Sequence, residues 1–168
     1  MNEFSIDAAD FKWIDGNKDD PEDLCLHGKA TAYIGKEKLE YYAAVSATAL
    51  YLLKTLTENH IMGTDNQMLP CCGFFFIAND TLDNVTISGC SNGVDWSVIH
   101  NDDFVILKTE DGTEETVSIE HYKNEVFRFA DKIETFYNSC TPKKIPDDEF
   151  ERNGYIAFWN EWHRRREK

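Results

Sequence analysis

The chain has 168 residues, and 31 Asp and Glu against 17 Lys and Arg leave it a formal net charge of -14. A surface this acidic repels phosphate backbones and anionic lipid, so composition argues against nucleic-acid and membrane partners and for a basic protein or a cation as partner, beside the plainer reading that the charge only keeps the chain dissolved. Aromatic residues make up 13% of the chain, a share that suits one packed domain over residues 1–168 and not a disordered chain.

Met1 to Asp7 shows no basic segment followed by an apolar one, so no secretory leader is expected and the location read from it is cytoplasmic. Phe4, Ile6, Phe11 and Trp13 place a strand near the start. Gly16 to Asp23 then combines Gly, Asn and Pro into a surface turn carrying Asp19, Asp20, Glu22 and Asp23. Leu24 to Ile34 alternates with a period of two and reads as a strand, with a bulge expected at Gly28. Gly35 turns the chain, and a partner strand begins near Lys38.

Tyr42 to His60 carries a helical stripe of Tyr42, Val45, Ala49, Leu52, Leu53 and Leu56, stopped by Gly63. Phe74-Phe75-Phe76-Ile77 follows Gly73 and reads as a strand buried on both faces. Val85 to Ile87 and Val94 to Ile99 are further strands, separated by the Gly89–Gly93 turn. Phe104–Leu107 and Thr116–Ile119 form a hairpin whose tip, Asp111-Gly112, supplies the positive φ angles of a tight turn.

Glu120 to Tyr137 is the clearest helix. Tyr122, Val126, Phe129, Ile133 and Phe136 lie on one face, and burying the last four contributes about 6–12 kcal/mol as an upper bound. Pro142 ends it, and residues 143–168 form a C-terminal helical extension rich in Phe, Tyr and Trp and closed by His163-Arg164-Arg165-Arg166. The order of elements predicts an α+β domain: an antiparallel sheet of about five to six strands, with two to three helices packed mainly on one face.

No phosphate-binding glycine loop, dinucleotide fingerprint, nucleophile elbow or zinc-protease motif occurs, so no cofactor is expected. The five cysteines are Cys25, Cys71, Cys72, Cys90 and Cys140. An odd number without a leader predicts free thiols. Cys71 and Cys72 are adjacent and would diverge in an extended chain, which argues against a shared metal. Cys25 and His27 share a strand face. With Cys90 or His100 they are the alternative reading, a small cysteine- and histidine-dependent enzyme or a metal protein.

The partner-binding candidates are the paired acids on turns: Asp19, Asp20, Glu22 and Asp23; Asp102 and Asp103; Glu110, Asp111, Glu114 and Glu115; Asp147 and Asp148. Trp159 and Trp162 are candidate aromatic anchors, for a partner or for a second copy in a homodimer. A homo-oligomeric structural protein built on that helix is a third reading.

Gly93-Val94-Asp95-Trp96-Ser97-Val98-Ile99-His100, the hairpin, the Tyr122–Phe136 helix and Gly154 to Trp162 together resemble small acidic bacterial immunity proteins of polymorphic toxin systems. The resemblance implies a protein that neutralises a toxin by direct contact; the acidic charge suits a basic toxin, and a cytosolic monomer or homodimer is expected. It carries over no functional residue.

Overall fold

The computed structural model describes residues 4–14, 19–64, 66–73 and 75–167. The fold is α+β with antiparallel pairing in every described ladder, as the sequence predicts. The strands are divided, however, among four small sheets where a single sheet of five to six strands was expected.

The first sheet is β1 (Phe4–Lys12), β2 (His27–Ile34) and β3 (Glu37–Ala43), in that order. Phe4, Ile6 and Ala8 face the core from β1, and Ala30, Ala32 and Ile34 from β2, the two-residue period of a half-buried sheet. The bulge expected at Gly28 lies in the opposing strand. Asp10 and Phe11 together face Gly28, between the Ala9–Lys29 and Lys12–His27 pairs, and Asp10 takes a φ of 54°. A Cβ on Gly28 would sit 2.8 Å from the Phe11 ring, so the glycine leaves room for the bulged side chain.

The helix read as Tyr42–His60 is shorter. Tyr41 and Tyr42 belong to β3, and α1 runs from Val45 to Lys54. Its residues Val45 to Leu53 are all buried, Ser46 and Thr48 among them, so α1 is covered on every side and lacks the single buried stripe expected. A central helix must be covered all round, which explains why the strands wrap it in several short sheets.

Two ribbons come next. β4 (Leu69–Pro70) pairs with β7 (Gly93–Val94), and β5 (Phe75–Ala78) pairs with β6 (Val85–Ser88). Phe74 lies outside the described residues. The rest of that run is buried on one face only: Phe76 is covered, whereas Phe75 is 63% and Ile77 42% exposed. The fourth sheet has the order β10 (Glu114–Ser118), β9 (Phe104–Lys108), β8 (Ser97–Asn101).

Two long helices close the core. In α2 (Ile119–Ser139), Ser118 caps the first turn by accepting from the His121 N–H, and Tyr122, Val126, Phe129 and Ile133 are buried as their spacing predicts. In α3 (Glu149–Arg166), Asp148 caps the start by accepting from the Glu151 N–H. Tyr155, Ala157, Phe158 and Trp162 enter the same core as α1 and α2, and the Phe158 ring stacks on Phe76 at 4.9 Å. No helix of the described residues is long and apolar enough to cross a membrane.

Candidate functional site

The acids do not form one face. Asp102 and Asp103 sit at the β8–β9 turn, and Glu110, Asp111, Glu114 and Glu115 at the opposite end of β9. Strands of five residues separate the two groups by about 17 Å. Several of these carboxylates hold the chain's own turns. Asp111 accepts from the Thr109 hydroxyl at 2.7 Å and the Thr113 N–H at 2.8 Å, and these bonds hold its carboxyl far below the ordinary value. Glu114 pairs with Lys108 at 3.0 Å.

Asp19 to Asp23 behaves differently, because it folds against the chain between α2 and α3. Asp19 accepts from the Thr141 hydroxyl at 2.7 Å, and those Thr141 bonds lower its pKa. The Asp20 carbonyl accepts from Lys143 at 2.5 Å, and Glu22 pairs with Lys144 at 3.4 Å. Asp23 accepts from the backbone N–H groups of Ile14 and Cys25 at 2.5 and 2.9 Å. The acidic loop therefore stands beside the entry to α3, where Asp147 and Asp148 lie.

Between them is a cavity of about 260 Å³ with Phe75, Phe150 and Pro146 in its walls and Glu22, Asp23 and Glu151 in its lining. Phe75 is 63% exposed and Phe150 53% exposed. Ile145, in the segment leading to α3, is 47% exposed. Two large aromatic rings left in water beside three acids is an arrangement that folding alone does not favour.

No protein family, curated protein or solved structure matches this chain.

Sequence reasoning found the acids of this site and missed its apolar half. The Phe74–Ile77 run reads as wholly buried, and nothing local says that only α3 covers it. Phe150 shares a helix face with Gly154 and Ala157, but lies one turn beyond the core. Trp162 is corrected: it is fully buried and packs on Phe158 and Trp159 at 5.6 and 5.0 Å, so it is a core residue and presents nothing to a partner. Trp159 is half-buried and lines another groove with Glu134, Lys143 and His163, apart from the Phe75–Phe150 cavity.

The thiol and imidazole candidates do not converge. Cys25 is buried, in contact with the Ser46 hydroxyl at 3.9 Å, and burial pushes its thiol up to about 12, which leaves little thiolate to act as a nucleophile near neutral pH. The His27 ring contacts the Cys25 carbonyl at 3.3 Å and stacks on Tyr42. His100 contacts the Thr55 carbonyl at 2.8 Å. Cys90 is joined to Cys71 by a disulfide and lies beside Cys72, which corrects both the expectation of five free thiols and the grouping of Cys90 with His27 or His100. A further cavity, about 540 Å³, is lined by Leu53, Leu56, Ile119 and the charged groups of Glu120, Lys123 and Arg164. It holds no thiol or imidazole.

Proposed function

We propose that the protein binds a basic protein partner at the Phe75–Phe150 face and acts by that contact, as the immunity proteins it resembles act on toxins. The carrying observation is the pair of exposed rings beside Glu22, Asp23 and Glu151. Each ring covered by a partner contributes about 1.5–3 kcal/mol by area transfer. The acids steer a cationic surface onto the rings and reject anionic ones. Aromatic centres with a charged rim are the usual composition of binding hot spots. The net charge of -14 strengthens the long-range attraction.

The test titrates the product of the adjacent gene calorimetrically against the purified protein at low and high salt. Phe75→Ala and Phe150→Ala each weaken the complex at least about tenfold, or 1.4 kcal/mol, and affinity falls as salt rises. Glu110→Gln at the hairpin tip leaves it unchanged. No complex at micromolar concentration overturns the assignment. So does a complex that Glu110→Gln weakens and the two phenylalanine variants do not.

A further inference from the structure

A different part of the molecule gathers three sulfurs. The β4–β7 ladder pairs Leu69 with Val94 and Pro70 with Gly93, and the Cys71 N–H donates to the Asn92 carbonyl at 3.0 Å. Just past that ladder the chain bends at Cys71 and does not continue as a strand. The bend defeats the divergence that adjacent cysteines show in an extended chain. The Sγ atoms of Cys71, Cys72 and Cys90 all lie within 4.8 Å of one another, on a half-exposed to exposed surface.

The loop from Gly89 is shaped to keep them together. A Cβ on Gly89 would lie 2.5 Å from the Cys72 carbonyl oxygen and 3.2 Å from its Sγ. Only a residue without a side chain lets the Cys90 backbone approach so closely. The Cys90 N–H then donates to Cys72 Sγ at 3.0 Å. An N–H aimed at sulfur stabilises negative charge there, the kind of outer bond that tunes metal-bound thiolates.

We propose that Cys71, Cys72 and Cys90, once the Cys71–Cys90 bond is reduced, form a three-thiolate site for copper(I). Thiolates select soft cations. Three sulfurs at about 2.3 Å from one ion, a typical metal–thiolate length, stand about 4.0 Å apart when trigonal. Reaching that spacing requires the Cys71 and Cys90 sulfurs to part once their bond is cut and those of Cys72 and Cys90, now 3.1 Å apart, to open slightly. Among the described residues no fourth His, Cys, Asp or Glu joins the group, so the protein supplies the full set of a three-coordinate ion but not the four protein ligands of a structural zinc site.

The balance is simple. A tertiary phosphine reduces the disulfide to two thiols and leaves as its oxide, with water supplying the oxygen and both protons. Copper(I) then binds three sulfurs and displaces three S–H protons. The disulfide form has one thiolate to offer and holds no copper, so the site answers to the thiol redox state of its surroundings.

The test is an anaerobic titration of copper(I) against a chromogenic copper(I) chelator, with phosphine-reduced and disulfide forms of the full chain. The reduced protein withholds one equivalent and the disulfide form none. Outer-shell changes at metal sites weaken binding by about 10–100-fold, so loss of a direct ligand in Cys72→Ser lowers affinity at least about 100-fold. That variant keeps the Cys71–Cys90 bond, so its oxidised form reports whether the fold is intact. The proposal fails if the reduced protein withholds no more copper than a C71S/C72S/C90S variant, or if the disulfide form binds equally. Retention of one equivalent of zinc(II) in preference to copper(I) also overturns it.

Discussion

Glu161 is a carboxylate that α3 carries fully inside the protein. One oxygen accepts from the Val85 N–H at 2.7 Å; the other accepts from Arg165 Nε at 2.8 Å and faces Lys54 at 3.5 Å. Arg165 continues outward to Glu58 at 2.6 Å and Thr57 at 3.0 Å. One buried charge thus ties α3 to the end of α1 and to the first residue of β6. Glu161→Ala leaves the Val85 N–H without its acceptor and Lys54, Arg164 and Arg165 short of their inner counter-charge. The expected loss is about 3–5 kcal/mol in urea unfolding. Glu58→Ala removes only the outer carboxylate, whose side chain is 57% exposed, and costs about 0–1 kcal/mol. Equal losses from the two variants would show that the inner carboxylate does not anchor the network. The arginine run that closes α3 is engaged as well: Arg166 grips Asp131 with two bonds at 2.6 and 2.9 Å. A polar residue between Asn160 and Trp162 carries no mark of burial until α1 and β6 arrive from more than seventy residues away.

At the scale of elements, what was legible followed periodicity, and what was lost depended on neighbours. The α2 helix, the Asp111-Gly112 hairpin and the β2–β3 turn at Gly35 are specified by local spacing and turn chemistry, and all three are present. The end of β3 and the start of α1 were blurred, because Tyr41, Tyr42 and Val45 suit either state. The one-sided burial of β5 was invisible, since it depends on the seat that α3 makes for that strand. Gly154 is that seat. A Cβ there would lie 2.0 Å from the Phe76 carbonyl oxygen and 2.8 Å from its carbon. The obstacle is backbone, so it cannot swing aside. Alanine raises helix propensity by up to about 1 kcal/mol, yet Gly154→Ala is expected to destabilise the protein by about 1–3 kcal/mol through overpacking. It also shifts Phe75 and weakens partner binding at the adjacent face. A raised thermal midpoint in this variant would mean that α3 and β5 are not in backbone contact.

Across the whole molecule, the carboxylate excess has two occupations, and the sequence shows only their sum. Some acids rim the Phe75–Phe150 face. Others, including Asp7, Asp19, Asp83 and Asp111, hold partners in the fold, and their pKa values lie below the ordinary 3.8. Asp7 is held down by Lys132 at 2.8 Å against the opposing effect of its partial burial, Asp83 by Asn79 and Thr81, and Asp111 first of all by the Thr109 hydroxyl. A carboxyl whose folded pKa is depressed binds fewer protons folded than unfolded near and below 3.8, so its contribution is full above that pH and drains away as pH falls through the folded value. Self-repulsion from the net charge works in the opposite direction, because protonation relieves it. That relief comes first, around the isoelectric point near 4.6, where ordinary carboxylates begin to titrate. The thermal midpoint is therefore expected to hold or rise slightly from pH 7 to about pH 5 and to fall steeply below about pH 4. Thr109→Val removes the hydroxyl that contributes most to the low pKa of Asp111, raises that pKa, and moves the onset of acid unfolding, followed by tryptophan fluorescence, to higher pH. A protein equally stable at pH 2 and pH 7, or an onset untouched by Thr109→Val, would show that these carboxylates are spectators of the fold, and the full -14 would then be free to serve the partner.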